Sequence, residues 1–158
     1  MNNETIVKNF FEAFQKLDSK TMNSFLAKNI SFDDPAFGKL NGDEVKYMWQ
    51  FLTKNAKNFS LEFEIISTTK NKLEAKWTAH YTFSATGNKV VNNVSSSFKI
   101  KNDKITNHKD EFDLKKWAKQ ALGKAIGIFG PSFLLKKGIQ AQSKQLLKKY
   151  MSKNELLE

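Results

Sequence analysis

The chain contains no cysteine and no arginine, two prolines, two histidines, and no long uninterrupted apolar run. The missing cysteine excludes disulfides, thiolate metal sites and a cysteine nucleophile, and it suits a reducing compartment. The missing arginine removes the planar, bidentate fork that phosphate and guanine recognition favours. A net charge of +10 carried wholly by lysine, spread from Lys8 to Lys153, therefore reads as a solvated surface, and no specific nucleic acid is expected as a partner. The apolar, glycine-rich stretch 121–135 includes Lys124 and is shorter than the roughly 20 residues that a membrane-crossing helix needs. No basic region followed by an apolar segment opens the chain, which predicts a cytoplasmic location.

What is present fits one domain of 158 residues, a size that buries roughly two thirds of its unfolded surface. Residues 4–17 place Ile6, Val7, Phe10, Phe11, Phe14 and Leu17 at helical spacing, giving one apolar face. A short second helix is predicted over Thr21–Ala27, then an extended segment "NISFDD" stopped by Pro35 and Gly38. Asp43 is expected to cap a third helix, "EVKYMWQFLTKNA". From residue 59 the period changes to two: four alternating segments, 59–69, 72–85, 89–100 and 104–112, are separated by the turns "KNK", "TGN" and "KND". Helices followed by an antiparallel meander and a helical tail from about Leu114 predict an α+β fold. Residues 1–123 form the domain, and 124–158 a helical extension packed on it, with Leu135, Ile139, Leu146 and Tyr150 on one stripe.

Two stretches, "SFDDPAFGKLNGDEV" and "KITNHKDEFDLKKWAKQALG", resemble the nuclear transport factor two-like superfamily, which includes SnoaL-type cyclases, ketosteroid isomerases and limonene epoxide hydrolases. The resemblance covers residues 4 to about 123. It implies a cone-shaped, curved antiparallel sheet with the N-terminal helices on its concave face, an apolar pocket for a small apolar molecule, and a homodimer. It also implies that Asp34 occupies the position of the isomerase general base. Alternation agrees, because Phe32 and Asp34 share one strand face and Asp33 takes the other. Two roles fit Asp34: a proton acceptor whose pKa rises against apolar walls, or a turn residue bonding backbone N–H groups of "DPAFG".

The isomerase's oxyanion donors do not carry over. Its tyrosine position falls at Phe10 and its acid position near Ser96, so one hydroxyl is missing and the other is a weaker donor. The epoxide hydrolase arrangement needs an arginine, which this chain lacks. His108 and Asp110 stand two apart on a strand, about 6.8 Å from each other on one face, and a carboxylate beside an imidazole fixes its tautomer. These two join Asp34 as candidate catalytic groups. Trp49, Trp77, Tyr81, Phe98 and Phe112, with Phe10, Phe32 and Ser96, are candidate pocket residues. Asp113 is a further pocket candidate by resemblance and, by its position before Leu114, a helix cap. His80 falls on the outward face of its strand. Two separated histidines make no metal site, so neither metal nor cofactor is expected.

Two functions follow. One is acid/base catalysis of isomerase, cyclase or hydrolase type on an apolar carbonyl or polyketide-like ligand. The other is a non-catalytic binding or dimerisation module. For the tail three roles stand open: a lid over the pocket, a dimer arm, or a basic amphipathic helix on a membrane surface, the last of them the least favoured.

Overall fold

Asn2 and Asp18 begin the first two helices by the same device. Each side-chain oxygen accepts a hydrogen bond from the backbone N–H three residues on, Thr5 at 2.7 Å and Thr21 at 3.0 Å, satisfying donors that a helix start leaves free. The computed structural model describes all residues, Met1–Glu158, and places α1 at Asn3–Gln15 and α2 at Ser19–Ser24. α2 ends sooner than its composition suggests. Leu26 and Ala27 belong to β1, Leu26–Asp34, because Leu26 pairs with Ile105 on a neighbouring strand, and ladder bonds outweigh weak helix propensity.

β2, Gly38–Asn41, returns antiparallel along β1; four residues are too few for periodicity to mark this strand. The third helix, α3, spans Asp43–Asn55, and its cap is Gly42 at φ 59, not Asp43, which is already the first helical residue. The carboxylate of Glu44 reaches back instead and accepts from the N–H of Asn41 at 3.2 Å. β3 Lys57–Thr68, β4 Leu73–Thr82, β5 Lys89–Lys101 and β6 Lys104–Glu111 form the expected meander. Asn102 and Asp103, both at positive φ, make its tightest turn.

The six strands form one curved, open sheet in the order β2-β1-β6-β5-β4-β3. It departs from the expected antiparallel sheet at one point: β1 and β6 run parallel, with Phe32 opposite His108 and Asp33 opposite Lys109. α1 lies across the sheet and buries three phenylalanines against it. Phe11 stacks on Phe63 at 5.0 Å between ring centres, and Phe14 meets Trp77 at 5.6 Å.

After α4, Leu114–Leu122, two 3₁₀ turns at Gly123–Phe129 and Ser132–Leu134 lead into α5, Leu135–Lys153. α5 packs on α3. Gln50 donates to the Tyr150 hydroxyl at 2.8 Å and accepts from the N–H of Leu157 at 3.0 Å. The buried stripe of α5 is Leu135, Ile139 and Leu147, while Leu146 is half exposed.

α5 also holds the turn after β1: Gln140 donates to the carbonyl of Pro35 at 3.1 Å. Gly38 sits at φ +71, and a Cβ there would lie 3.2 Å from the Gln140 amide oxygen. Gly38→Ala therefore combines a left-handed backbone with a crowded side chain, and a loss of about 1–2 kcal/mol is expected. Urea unfolding checks it; a midpoint equal to wild type would mean that α5 does not bear on this turn.

Candidate functional site

Between the sheet, α3 and the C-terminal segment lies a cavity of about 560 Å³. Its walls are chiefly apolar, and Phe32, Trp49, Trp77 and Phe112 are among them. Asp34 reaches the same wall because β1 alternates: Phe32 and Asp34 point inward together.

The Asp34 carboxylate divides its two oxygens between two tasks. Oδ1 accepts from the backbone N–H of Ala36 at 3.0 Å and of Phe37 at 2.5 Å, ordering the Asp-Pro turn. Oδ2 bonds to no protein group and opens on the cavity. Burial among apolar walls raises the Asp34 pKa to about 7, with the negative charge of Asp110 adding to the rise and the two backbone bonds opposing it. The residue keeps some accessible surface, but that surface is cavity wall, so the desolvation is real. Turn and proton acceptor are thus compatible roles, each with its own oxygen.

Asp110 stands on β6 next to β1, so the parallel register, invisible to periodicity, brings it to Asp34. Its Oδ1 accepts from the Ser96 hydroxyl and lies 2.7 Å from His108 Nε2. The indole N–H of Trp77 donates to Ser96 at 2.7 Å. The sequence Trp77, Ser96, Asp110, His108 forms one hydrogen-bonded chain across three strands. His108 itself does not reach the cavity. It is 1% exposed, Trp49 stacks over its ring at 5.7 Å and 16°, and Phe98 lies 4.3 Å away. With Nδ1 lacking any partner, the economical tautomer carries its proton on Nε2, bonded to Asp110.

Tyr81 has a role that the sequence did not suggest. It was expected only as an aromatic wall, but its hydroxyl accepts from the indole N–H of Trp117 at 2.7 Å and donates to no protein atom. Its own proton is therefore free at the cavity wall. Burial raises its pKa, and the charge of Asp34 raises it further, so the phenol remains a donor. The only available hint was its register: Trp77, Ala79, Tyr81 and Phe83 all face the cavity. Nothing in the sequence paired Tyr81 with Trp117.

Of the residues expected at the pocket, Phe32, Asp34, Trp49, Trp77, Tyr81, Asp110 and Phe112 lie on the cavity wall. Phe10, Ser96, Phe98 and His108 do not; they are buried in a layer behind it, screened by Trp49 and Trp77. Asp113 is also outside. It is exposed, and its carboxylate caps α4 by accepting from the N–H of Lys116 at 3.0 Å. His80 is exposed on the outer face. No three of the histidines and acids converge as metal ligands. The C-terminal segment closes one side, contributing Ala125, Phe129, Ile139 and Leu146.

A protein-family model for the SnoaL-like domain matches residues 7–108. The chain belongs to the SnoaL-like domain family. No curated protein matches it. Solved structures with the same fold include a protein assigned as a polyketide cyclase from Pseudomonas putida, 18% identical over 76% of this chain and 98% of that one, with a TM-score of 0.68. Another is an LEH-like epoxide hydrolase from M. tuberculosis, 19% identical over 81% and 95%, TM-score 0.61. A third, with a ketosteroid isomerase-like fold, comes from Catenulispora acidiphila and was solved with trimethylamine; it is 13% identical over 77% and 94%, TM-score 0.65. At these identities the likeness is one of fold. The matched segment of this SnoaL-like chain includes Asp34, Tyr81 and His108 but ends before Asp110 and the tail.

Proposed function

We propose that this SnoaL-like protein binds a small apolar ketone or polyketide-like carbonyl compound in the cavity and moves a proton on it, with Asp34 as general acid/base. The observation that carries this reading is the free Oδ2 of Asp34 at an apolar wall, on a carboxyl with a pKa of about 7. A base poised near the working pH combines a useful ionised fraction with real proton affinity. A cavity of about 560 Å³ suits a ligand of two or three rings.

In the reaction Oδ2 takes a proton from the carbon next to the carbonyl, and the C–H pair moves to form an enolate. The Tyr81 hydroxyl, polarised by Trp117, donates to the enolate oxygen in the role that Phe10 cannot fill and that Ser96, already bonded to Asp110, does not serve. Asp34 then returns the proton to carbon, or the enolate carbon attacks a second carbonyl of a folded chain, whose C=O π pair moves onto oxygen and takes the proton from Asp34. His108 acts as a positioning residue: it holds Asp110, whose charge helps keep Asp34 basic. The assignment of the Pseudomonas putida relative as a polyketide cyclase is consistent with the second outcome.

The test uses β-tetralone, a two-ring ketone with exchangeable α-protons, in D₂O followed by NMR. Wild type is expected to accelerate exchange, with a rate that rises through about pH 7 and then levels. Asp34→Asn lowers it about a hundredfold or more, and Tyr81→Phe by roughly a hundredfold, both with unchanged far-ultraviolet circular dichroism. Ketone binding without acceleration, or full exchange in Asp34→Asn, would leave the chain a binding module and remove the catalytic reading.

A further inference from the structure

The positive charge of this protein is not spread evenly. From Leu114 to Asn154 the chain has ten lysines and no aspartate or glutamate. The residues before it balance sixteen lysines with fourteen acids, and the last four residues restore two acids. The lysines alone suggested a scattered surface; the absence of acids is what concentrates the charge. None of the ten lysines forms an ion pair.

The same segment holds the two most exposed large apolar side chains of the protein, Phe133 at 81% and Ile128 at 71%, with Leu134 beside them at 41%. Their exposure is built by the loop. Phe129 turns inward to the cavity and fits against Gly138, where a Cβ would come within 2.6 Å of its ring. Gly130 at φ +72 reverses the chain, and with Phe129 anchored, Ile128 and Phe133 project outward. Exposed Lys124, Lys136 and Lys137 bracket them. An apolar tip flanked along the chain by unpaired cations matches a surface that is negative outside and apolar beneath. No helix is long and apolar enough to cross a bilayer.

We infer that the 123–137 loop docks the protein on an anionic lipid surface, inserting Ile128, Phe133 and Leu134 while the flanking lysines contact the headgroups. Ile128 and Leu146 both line the cavity and are exposed, so they stand at its mouth. Docking therefore turns the mouth toward the lipid. The consequence that an apolar ligand enters from the bilayer rests on the carbonyl-ligand reading above; vesicle binding does not, and it can succeed or fail without it.

The test is co-sedimentation of the full chain with phosphatidylcholine vesicles, with and without phosphatidylglycerol. Wild type is expected to pellet with the anionic vesicles, to bind neutral ones at least about tenfold more weakly, and to be released by added salt. Phe133→Asp is expected to weaken binding about tenfold or more. The paired change Lys136→Glu and Lys137→Glu should act on anionic vesicles only. Phe133 is so exposed that its replacement leaves thermal unfolding unchanged, which separates loss of docking from loss of folding. Absence of pelleting, equal pelleting on both vesicles, or wild-type binding by Phe133→Asp overturns the inference. So does concentration-dependent self-association that Phe133→Asp abolishes without any vesicle binding, which assigns the patch to a second copy of the chain.

Discussion

Asp34→Asn stabilises the protein at about pH 8 by some 2–4 kcal/mol more than it does at about pH 4. In the folded chain the Asp34 carboxyl keeps its proton up to about 7 because burial disfavours the ion, whereas an unfolded aspartate releases it near 3.9. Between those values the folded state binds more protons at this group than the unfolded one, so the contribution of Asp34 to wild-type stability is fully present below the lower value and is lost as pH rises through the upper. Asparagine keeps an oxygen for the N–H groups of Ala36 and Phe37 and never ionises, so the penalty disappears. Parallel urea titrations at the two pH values measure the difference, and other carboxylates cancel between the two proteins. A pH-independent difference would show that Asp34 titrates normally, and with it the basis for a general base near neutrality would go. A variant that is less active yet more stable is the mark of a group held in a costly state for function.

The parts of this site that were legible in the sequence are those set by strand alternation. A period of two puts Phe32 with Asp34, Trp77 with Tyr81, and His108 with Asp110, and each pair does share a face. Periodicity has no information about which strands adjoin. The parallel pairing of β1 with β6 closes a contact between segments some 76 residues apart, and it alone brings Asp34 to Asp110. The same limit hid the Tyr81 to Trp117 bond and the stacking of Trp49 over His108, which places the histidine behind the cavity wall. Helix boundaries failed for a different reason. Leu26 and Gly42 take their roles from a ladder partner and a backbone angle, neither of which residue type specifies. The tail was readable as amphipathic, but a one-residue phase error exchanged Leu146 for Leu147, and that residue decides whether the stripe is core or cavity rim.

Asp110 offers the second large effect, because two substitutions at that position separate its charge from its hydrogen bonds. Asp110→Ala deprives His108 of its one partner when its Nδ1 already has none, and leaves the Ser96 hydroxyl with Trp77 alone. Both groups are buried, so a loss of about 3 kcal/mol is expected. Asp110→Asn keeps an oxygen for both donors and should cost well under half as much. It removes the negative charge beside Asp34, however, and that charge is one cause of the raised Asp34 pKa. In Asp110→Asn the Asp34 carboxyl should titrate below about 7, yet remain above the ordinary carboxylate range, since burial is the larger cause and is untouched. Carboxyl carbon chemical shifts followed against pH read this directly, and the pH profile of ketone exchange should move in the same direction. If alanine and asparagine destabilise equally, the hydrogen-bonded chain does not support the fold. If the Asp34 midpoint stays where it was, Asp110 is an electrostatic bystander, and the two carboxylates do not act as one site.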